Sequence, residues 1–240
     1  MSSTPQTSDD LRLRLQEVRS RIEMAARRSH RDAAGIRLVA VSKTHPADVV
    51  RAAIDAGAAD LGENRVQEAE SKITEIGRAR ARWHLIGHLQ SNKARRAVQL
   101  FDVIHSVDSA SLARKLEHAC AEENRDVLPV LIQVDLGHEV TKSGVDENEL
   151  SAIVDEVTKC KRLQLAGLMT LPPFFEDAEL ARPYFARLRE LRDELRARGN
   201  FGNAEGELSV GMTHDYEVAI EEGATMVRVG TAIFGQRQRR

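Results

Sequence analysis

The sequence has little cysteine, and this scarcity excludes several classes of protein. Cys120 and Cys160 are the only cysteines among 240 residues. Two cysteines do not build a disulfide framework, and neither lies at the spacing of a metal-binding motif. The cysteine content therefore favours a protein of the reducing cytoplasm.

Long apolar runs and an excess of charge of one sign are also missing. No apolar run approaches the roughly 18 residues that span a bilayer. The N-terminus lacks the basic and apolar segments of a signal peptide. A net charge of −2 and an aromatic content of 4% are unlike those of a nucleic-acid-binding protein. We therefore expect a cytoplasmic protein that binds neither membranes nor nucleic acid.

Lysine is the third scarce residue type, since seven lysines stand beside 28 arginines. Arginine thus supplies most of the positive charge of the surface. A lysine that follows an apolar run, as Lys43 does, therefore needs an explanation.

Short apolar runs recur along the chain, and most neighbouring runs are separated by one amphipathic segment. The runs predict strands at 38–43, 60–63, 82–87, 103–107, 128–135, 165–170, 207–211 and 226–230. The segments between them predict helices at 47–56, 65–76, 92–100, 109–122, 147–160, 178–198 and 214–222. Eight strands alternating with helices predict an α/β fold, the (β/α)8 barrel of the TIM type. An open sheet of six strands is the alternative if two of the strand predictions fail.

The N-terminal segment differs from this alternating pattern. Residues 1–9 are polar and are predicted to form a disordered arm. From Asp10 onward a broad apolar stripe predicts an extra helix before the first strand. No linker rich in proline, glycine or serine follows, so residues 10–240 are predicted to form a single barrel domain.

Polar residues follow the predicted strands, and barrels place their active sites at these carboxyl-terminal strand ends, the mouth of the barrel. Lys43 ends the first strand, so its side chain starts deep in the mouth. A partly desolvated lysine amine is nucleophilic toward an aldehyde, which makes Lys43 a candidate Schiff-base lysine. The alternative is a lysine that reaches solvent or pairs with Glu63.

The ends of the last two strands have the composition of a phosphate site. They combine hydroxyls, glycines that allow close backbone approach and one cation: Ser209, Gly211, Thr213, Arg228 and Gly230. A helix is predicted to start directly after the first three, and helix N-termini attract phosphate. Barrels often build a phosphate site from these two loops. The alternative is that the glycines only permit tight turns and that Arg228 pairs with Glu217 or Glu221.

The histidines of the predicted strands have a simpler interpretation. His84 lies inside the third strand, where a lone histidine is expected to be a core residue hydrogen-bonded to a neighbour. His88 and His105 form no metal set with a carboxylate at a recognisable spacing, so no metal site is predicted.

Eight motifs together make the sequence similar to one known family. They are LVAVSKTHP (38–46), LGENRVQE (61–68), WHLIGHLQSNKAR (83–95), IHSVDS (104–109), KSG (142–144), GLMTLPP (167–173), ELSVGM (207–212) and VRVGTAIFG (227–235). From about Leu38 to Gly235 the chain resembles the pyridoxal 5′-phosphate (PLP) homeostasis proteins, the YggS/PROSC family. These belong to the fold-type III PLP proteins, whose barrel is that of the alanine racemase N-terminal domain. The resemblance implies that PLP is the cofactor.

The resemblance also implies a role for individual residues at the mouth. Lys43 takes the place of the lysine that holds PLP as an internal aldimine. Arg228 takes the place of the arginine that faces the pyridine nitrogen of the cofactor. Asn64 corresponds to a residue beside the pyridine ring.

The same comparison implies a phosphate-binding set. Gly230 and Thr231 correspond to the residues that hold the phosphate, with Ser209 beside them. Thr213 stands where members of the family often have serine, so a hydroxyl is kept. Asp135 stands where an asparagine is common, and no role is implied for it.

The resemblance favours binding over catalysis. An arginine on the pyridine nitrogen favours its neutral form, which weakens the electron sink that many PLP enzymes use. Alanine racemase adds a catalytic tyrosine from a domain after the barrel, for which we expect no room here. We therefore expect a monomer, and not an enzyme, that serves vitamin B6 homeostasis and hands PLP to PLP-dependent apo-enzymes. A small PLP-dependent racemase or lyase and a phosphosugar-binding barrel without PLP are the alternatives.

Overall fold

A closed barrel of parallel strands forms the centre of the computed structural model, which describes residues 8–138 and 143–236. The strands are β1 (Arg37–Val41), β2 (Asp60–Glu63), β3 (Arg82–Leu85), β4 (Val103–Val107), β5 (Leu128–Gln133), β6 (Leu163–Met169), β7 (Glu207–Met212) and β8 (Met226–Val229). Each strand pairs in parallel with the next, and β8 pairs with β1. The predicted (β/α)8 barrel is confirmed, and the open six-stranded sheet is wrong.

The helices surround this barrel because a parallel pair of strands needs a crossover connection. The α-helices of the described residues are α1 (Ser8–Arg28), α2 (Ala47–Asp55), α3 (Val66–Ile76), α4 (Ala94–Leu100), α5 (Ala110–Glu122), α6 (Leu150–Lys159), α7 (Arg182–Ala197), α8 (Tyr216–Glu221) and α9 (Thr231–Phe234). Across the part of the chain described, none of these helices has both the length and the apolar character that crossing a membrane requires.

Most of the buried apolar side chains lie between the strands and the helices. Leu61 and Trp83 belong to this large cluster, which also contains the buried faces of the helices. A second, much smaller apolar cluster consists of Val103, Leu131 and Met169. Buried polar side chains, described below, account for much of the remaining barrel interior.

The N-terminal helix covers the seam of the barrel, which is the pairing of β8 with β1 that closes it. Its buried residues recur at helical spacing: Leu11, Leu15, Val18, Ile22, Ala25 and Ala26. α1 contacts α8 and α9, which precede and follow β8 in the chain. Arg28 adds ion pairs of 2.9 Å to Glu217 and 2.8 Å to Glu221 on α8.

The predicted starts of several helices need correction. α1 begins at Ser8, so the predicted disordered arm is wrong for its last two residues, and residues 1–7 and 237–240 lie outside the described part. Three helices predicted to start at 92, 147 and 178 start later. Short 3₁₀ turns occupy those positions, at Ser91–Lys93, Glu147–Glu149 and Ala178–Ala181. α9 was not predicted.

Candidate functional site

The chain turns sharply directly after β1, and Lys43 lies in that turn. Ser42 O accepts a hydrogen bond of 3.1 Å from His45 N, so residues 42–45 form one β-turn. Lys43 is half-buried at the second position of the turn. Thr44, at the third position, has a φ of 68°, which places a β-branched residue in the left-handed region.

A cluster of buried charges lies behind this turn, between the barrel and α3. Lys72 donates 2.6 Å to Glu63 Oε1, 2.7 Å to Glu68 Oε1 and 2.7 Å to Ser42 O. Glu63 Oε1 also accepts 2.6 Å from the Ser42 hydroxyl. Glu63 thus forms an ion pair with Lys72, a partner that the sequence did not identify.

The loops after β7 and β8 meet at the same mouth. Gly230 N donates a hydrogen bond of 3.3 Å to Thr213 Oγ1, which joins the two loops. A Cβ added at Gly230 would lie 3.3 Å from Val41 O, so the glycine lets this joint approach the end of β1. Thr231 is exposed directly beyond it, at the start of α9. The joint between the two loops therefore lies next to Val41, two residues before Lys43 in the chain.

Arg228 lies beneath these loops and is only 3% exposed. Its guanidinium donates 2.5 Å to Ser209 O, 2.6 Å to Ser209 Oγ and 2.9 Å to Thr170 O. Burial lowers the pKa of Arg228 to about 10, so the side chain stays charged at neutral pH. Glu217 and Glu221 pair with arginines of α1 and α7. The prediction that either carboxylate pairs with Arg228 is therefore wrong.

A chain of hydrogen bonds continues from Arg228 through the barrel interior. Ser209 Oγ lies 2.9 Å from His105 Nδ1, His105 Nε2 lies 2.8 Å from His84 Nδ1, and His84 Nε2 lies 2.8 Å from Asp60 Oδ1. β4 and β7 are not neighbours in the barrel, so the bond between His105 and Ser209 crosses its interior. The expectation that His84 is a core residue bonded to a neighbour is confirmed.

The direction of these hydrogen bonds follows from the charges at their ends. Desolvation lowers the pKa of His84 and, more strongly, that of His105, so both imidazoles are neutral at neutral pH. Burial alone would raise the pKa of Asp60, but the hydrogen bond from His84 brings it below its ordinary value, so the carboxylate is ionised. His84 must then donate to Asp60, and each imidazole accepts at its other nitrogen. The Ser209 hydroxyl consequently donates to His105 and accepts from Arg228.

The structure brings some of the predicted site residues into direct contact. Ser209 bonds to Arg228, and Thr213 bonds to Gly230. Because the Ser209 hydroxyl is fully buried and bonded to Arg228 and His105, it lies behind the arginine and not at the exposed loops. Asn64 is half-buried after β2, and a Cβ at Gly87 would lie 2.4 Å from Asn64 O.

Sequence reasoning missed the buried charges that surround this site. Lys72 is buried on α3, where its spacing from Val66, Ala69 and Ile76 places it on the apolar face of the helix. A lysine on such a face was the signal that could have identified it. Asp60 offered a weaker signal, because it opens a strand on which every residue is buried.

One further polar position, Asp135, has a local structural explanation. Asp135 Oδ1 accepts hydrogen bonds of 3.2 Å from Gly137 N and 3.1 Å from His138 N, so it shapes the turn after β5. Within residues 8–138 and 143–236, no group of three or more metal-ligating side chains is close enough to hold an ion.

Comparison with known proteins gives a consistent family. Residues 13–238 match the family described as "Alanine racemase, N-terminal domain". The "Pyridoxal phosphate homeostasis protein" of Aquifex aeolicus is 43% identical over 225 residues, which cover 94% of this chain and 97% of the relative. The protein of the same name from Escherichia coli is 40% identical over 239 residues and covers 95% of this chain and 97% of its own length.

A solved structure with the same architecture is that of PipY from Synechococcus elongatus. Without PLP it superposes with a TM-score of 0.84 at 39% identity, covering 94% of this chain and 100% of PipY. The structure of PipY with PLP bound gives a TM-score of 0.82 at 38% identity over the same shares. The fold and the sequence thus point to the same relatives.

Proposed function

We propose that this chain, which belongs to the pyridoxal phosphate homeostasis proteins within the alanine racemase N-terminal domain family, binds pyridoxal 5′-phosphate at the barrel mouth. One observation carries the proposal. The joint between Gly230 and Thr213 approaches the end of β1 so closely that a Cβ at Gly230 would lie 3.3 Å from Val41 O. This brings a lysine at the strand end next to the two loops that barrels commonly use for phosphate.

The residues of the mouth fit the chemical groups of this cofactor. When bound, pyridoxal phosphate supplies an aldehyde that condenses reversibly with a primary amine, a phosphate group and a pyridine nitrogen. Lys43 supplies the amine. Gly230, Thr231 and Thr213 would supply backbone N–H groups and hydroxyls for the phosphate, and Asn64 would lie beside the ring.

Arg228 decides how the pyridine nitrogen is held. A guanidinium has donors and no acceptor, so a nitrogen that faces Arg228 must accept a hydrogen bond and carry no proton. Ser209 and Thr170 O hold the guanidinium from behind, which fixes its direction. An unprotonated pyridine is a poor electron sink, so this arrangement supports binding in place of carbanion chemistry.

Tyr216 offers no replacement for a catalytic tyrosine at the mouth. Its ring is buried, with the Arg21 guanidinium of α1 at 5.4 Å from the ring centre. Its hydroxyl is also buried and has no hydrogen-bond partner within the described structure. The proposed function is therefore the storage of pyridoxal phosphate and its release to PLP-dependent apo-enzymes in the cytoplasm, by a monomer that is not itself an enzyme.

Borohydride trapping followed by peptide mapping tests this proposal. Wild-type protein mixed with pyridoxal phosphate is expected to be yellow and to carry one trapped cofactor on the peptide that contains Lys43. Lys43→Ala should lose this label because it removes the amine. Lys115→Ala, which removes an exposed lysine of α5, serves as the matched control and should label like the wild type.

The same material separates storage from catalysis. We expect no steady turnover with a panel of D- and L-amino acids, and transfer of the cofactor to a PLP-free apo-enzyme. Turnover that disappears in Lys43→Ala would show that the protein is an enzyme. A wild type that stays colourless and unlabelled would contradict pyridoxal phosphate binding itself.

A further inference from the structure

The turn that carries Lys43 has a backbone conformation that its own sequence disfavours. In a β-turn with a positive φ at the third position, glycine or asparagine is the usual residue. Here that position is Thr44, with a φ of 68°. Such a conformation costs on the order of 1–3 kcal/mol and persists only when surrounding contacts hold it.

Side chains that lie between the barrel and α3 make those contacts, and they bind the residues directly before and after Lys43. Lys72 donates 2.7 Å to Ser42 O, the carbonyl that also closes the turn. Glu68 accepts a short hydrogen bond from Thr44 N, the amide of the strained residue. We call Glu63, Lys72 and Glu68 the turn clamp, since Lys72 and Glu68 hold the backbone groups that flank Lys43, and Glu63 binds Lys72 and the Ser42 hydroxyl.

The turn clamp combines one ammonium group with two carboxylates and is largely withdrawn from solvent. Glu63 is fully buried, and its Oε2 has no hydrogen-bond partner within the described residues. Burial raises the pKa of Glu63, and the ion pair with Lys72 opposes this effect. The three contacts of Lys72 match the three N–H donors of an ammonium group, so its amine is fully engaged.

We propose that Lys72 and Glu68 are positioning residues for Lys43: they fix the strained turn from behind, so that the Lys43 amine is presented to the aldehyde of the ligand. This inference rests on the proposed function. It assigns a second, buried lysine a role in cofactor attachment without contact to the cofactor. Lys72 itself is not the attachment point, because its N–H groups are already bonded.

Two ligands that differ in one functional group test the proposal. Pyridoxal phosphate reports attachment to Lys43, whereas pyridoxine 5′-phosphate lacks the aldehyde and reports the non-covalent site alone. Lys72→Met and Glu68→Gln should each slow trapping at Lys43 by about tenfold, since small misplacements of a reacting group are costly. Their dissociation constants for pyridoxine 5′-phosphate should remain within about twofold of the wild type. Lys115→Met, on the exposed face of α5, is the control and should change neither quantity.

Glu68→Gln keeps the test valid if Lys72→Met fails to fold. Removing Lys72 leaves Glu63 buried without its partner, which is strongly destabilising. Glu68 is partly exposed, with 26% of its side chain accessible, and its substitution leaves the pair of Glu63 and Lys72 in place. Faster hydrogen exchange at the Thr44 amide in Glu68→Gln, measured without any ligand, would support the clamp directly. Unchanged exchange there would overturn it.

A double-mutant cycle tests whether the clamp acts through the turn. Glycine adopts a φ of this sign without strain, so Thr44→Gly should make the turn less dependent on its clamp. Glu68→Gln is expected to slow trapping by about tenfold in the wild-type background and by less than about threefold in Thr44→Gly. An equal effect in both backgrounds would contradict the inference.

The outcomes separate this inference from the proposed function. If the wild type binds pyridoxine 5′-phosphate and traps pyridoxal phosphate at Lys43, but the clamp variants trap at the wild-type rate, only the clamp is wrong. If the wild type binds neither ligand, both the proposed function and the inference that rests on it are overturned.

Discussion

Ser209 is the residue at which Arg228 and the buried histidines meet. Its hydroxyl accepts from the Arg228 guanidinium and donates to His105, so one side chain satisfies both neighbours. The ionised carboxylate of Asp60 at the far end fixes the tautomers of the two histidines between them. Arg228 is therefore held by neutral acceptors, the hydroxyl and carbonyl of Ser209 and the carbonyl of Thr170, while the ionised carboxylate lies at the far end of the chain of hydrogen bonds.

The neutral state of His105 predicts a pH dependence of stability. An unfolded histidine has a pKa near 6.5, whereas desolvation, assisted by the nearby charge of Arg228, lowers the pKa of His105 well below that value in the fold. The stabilisation is therefore complete above about pH 6.5 and is lost as the pH falls from there toward the folded-state pKa. We expect the free energy of unfolding, measured with urea, to fall by about 1 kcal/mol per pH unit for this histidine.

His105→Gln, which keeps a donor and an acceptor, should be less stable than the wild type at pH 7 but should show a flatter profile from pH 6.5 to pH 5. The exposed His118 of α5 provides the control, because His118→Gln should leave the wild-type slope unchanged. An identical slope in His105→Gln would show that another group carries the dependence.

The residues of the mouth differ in how far the sequence could identify them. Lys43 follows an apolar run, and barrel strands end at the mouth, so a local pattern was sufficient to single it out. Lys72 and Glu63 are nine positions apart on different elements, and their pairing exists only once α3 packs on β2. Local patterns show which residue is unusual, but the partner that explains it comes from tertiary packing.

At the scale of elements, the end of β7, where the chain turns toward α8, depends on a glycine. Gly211 has a φ of +85°, and an added Cβ would lie 2.6 Å from Ala219 Cβ and 2.8 Å from Tyr216 Cα. Thr213, which bonds to Gly230, follows two residues later. The close approach of β7 to α8 therefore sets the position of the loop joint at the mouth.

Gly211→Ala is expected to lower the free energy of unfolding by about 3 kcal/mol, because it combines backbone strain with a steric clash. Gly199→Ala separates the two contributions. Gly199 has a φ of +77° with no atom within 4 Å of an added Cβ, so its substitution should cost only about 1 kcal/mol. Urea unfolding of both variants measures the difference. Equal losses would mean that the clash at Gly211 is absorbed by movement of α8.

The elements also show where sequence patterns stop being informative. Strands buried on both faces read as continuous apolar runs, and the predicted starts of all eight strands lie within two residues of the observed ones. α9 has four residues, which is too short for a helical periodicity to be detected. The helix starts at 147 and 178 were misplaced because Asp146 and Asp177 cap tight 3₁₀ turns there.

At the scale of the whole molecule, closure of the barrel assembles the site. Lys43 follows the first strand and Thr231 follows the last, and the two come together because β1 pairs with β8. α1 packs over this seam against α8 and α9. The site therefore does not exist in any partly folded form in which β8 is separated from β1.

This dependence predicts how a ligand changes stability. A ligand that binds the folded state alone adds about 2.7 kcal/mol to the free energy of unfolding at a concentration 100 times its dissociation constant. Pyridoxine 5′-phosphate is expected to have this effect. The single tryptophan, Trp83 on β3, provides a fluorescence probe away from the seam, and circular dichroism reports all helices.

Both probes should shift to the same higher urea concentration, because a barrel closed by β1 and β8 unfolds as one unit. A transition of Trp83 that ignores the ligand while the circular dichroism shifts would show that the half of the barrel containing β3 unfolds independently of the seam. In that case the ligand would stabilise only the elements that touch it, and closure of the barrel would not couple the site to the rest of the fold.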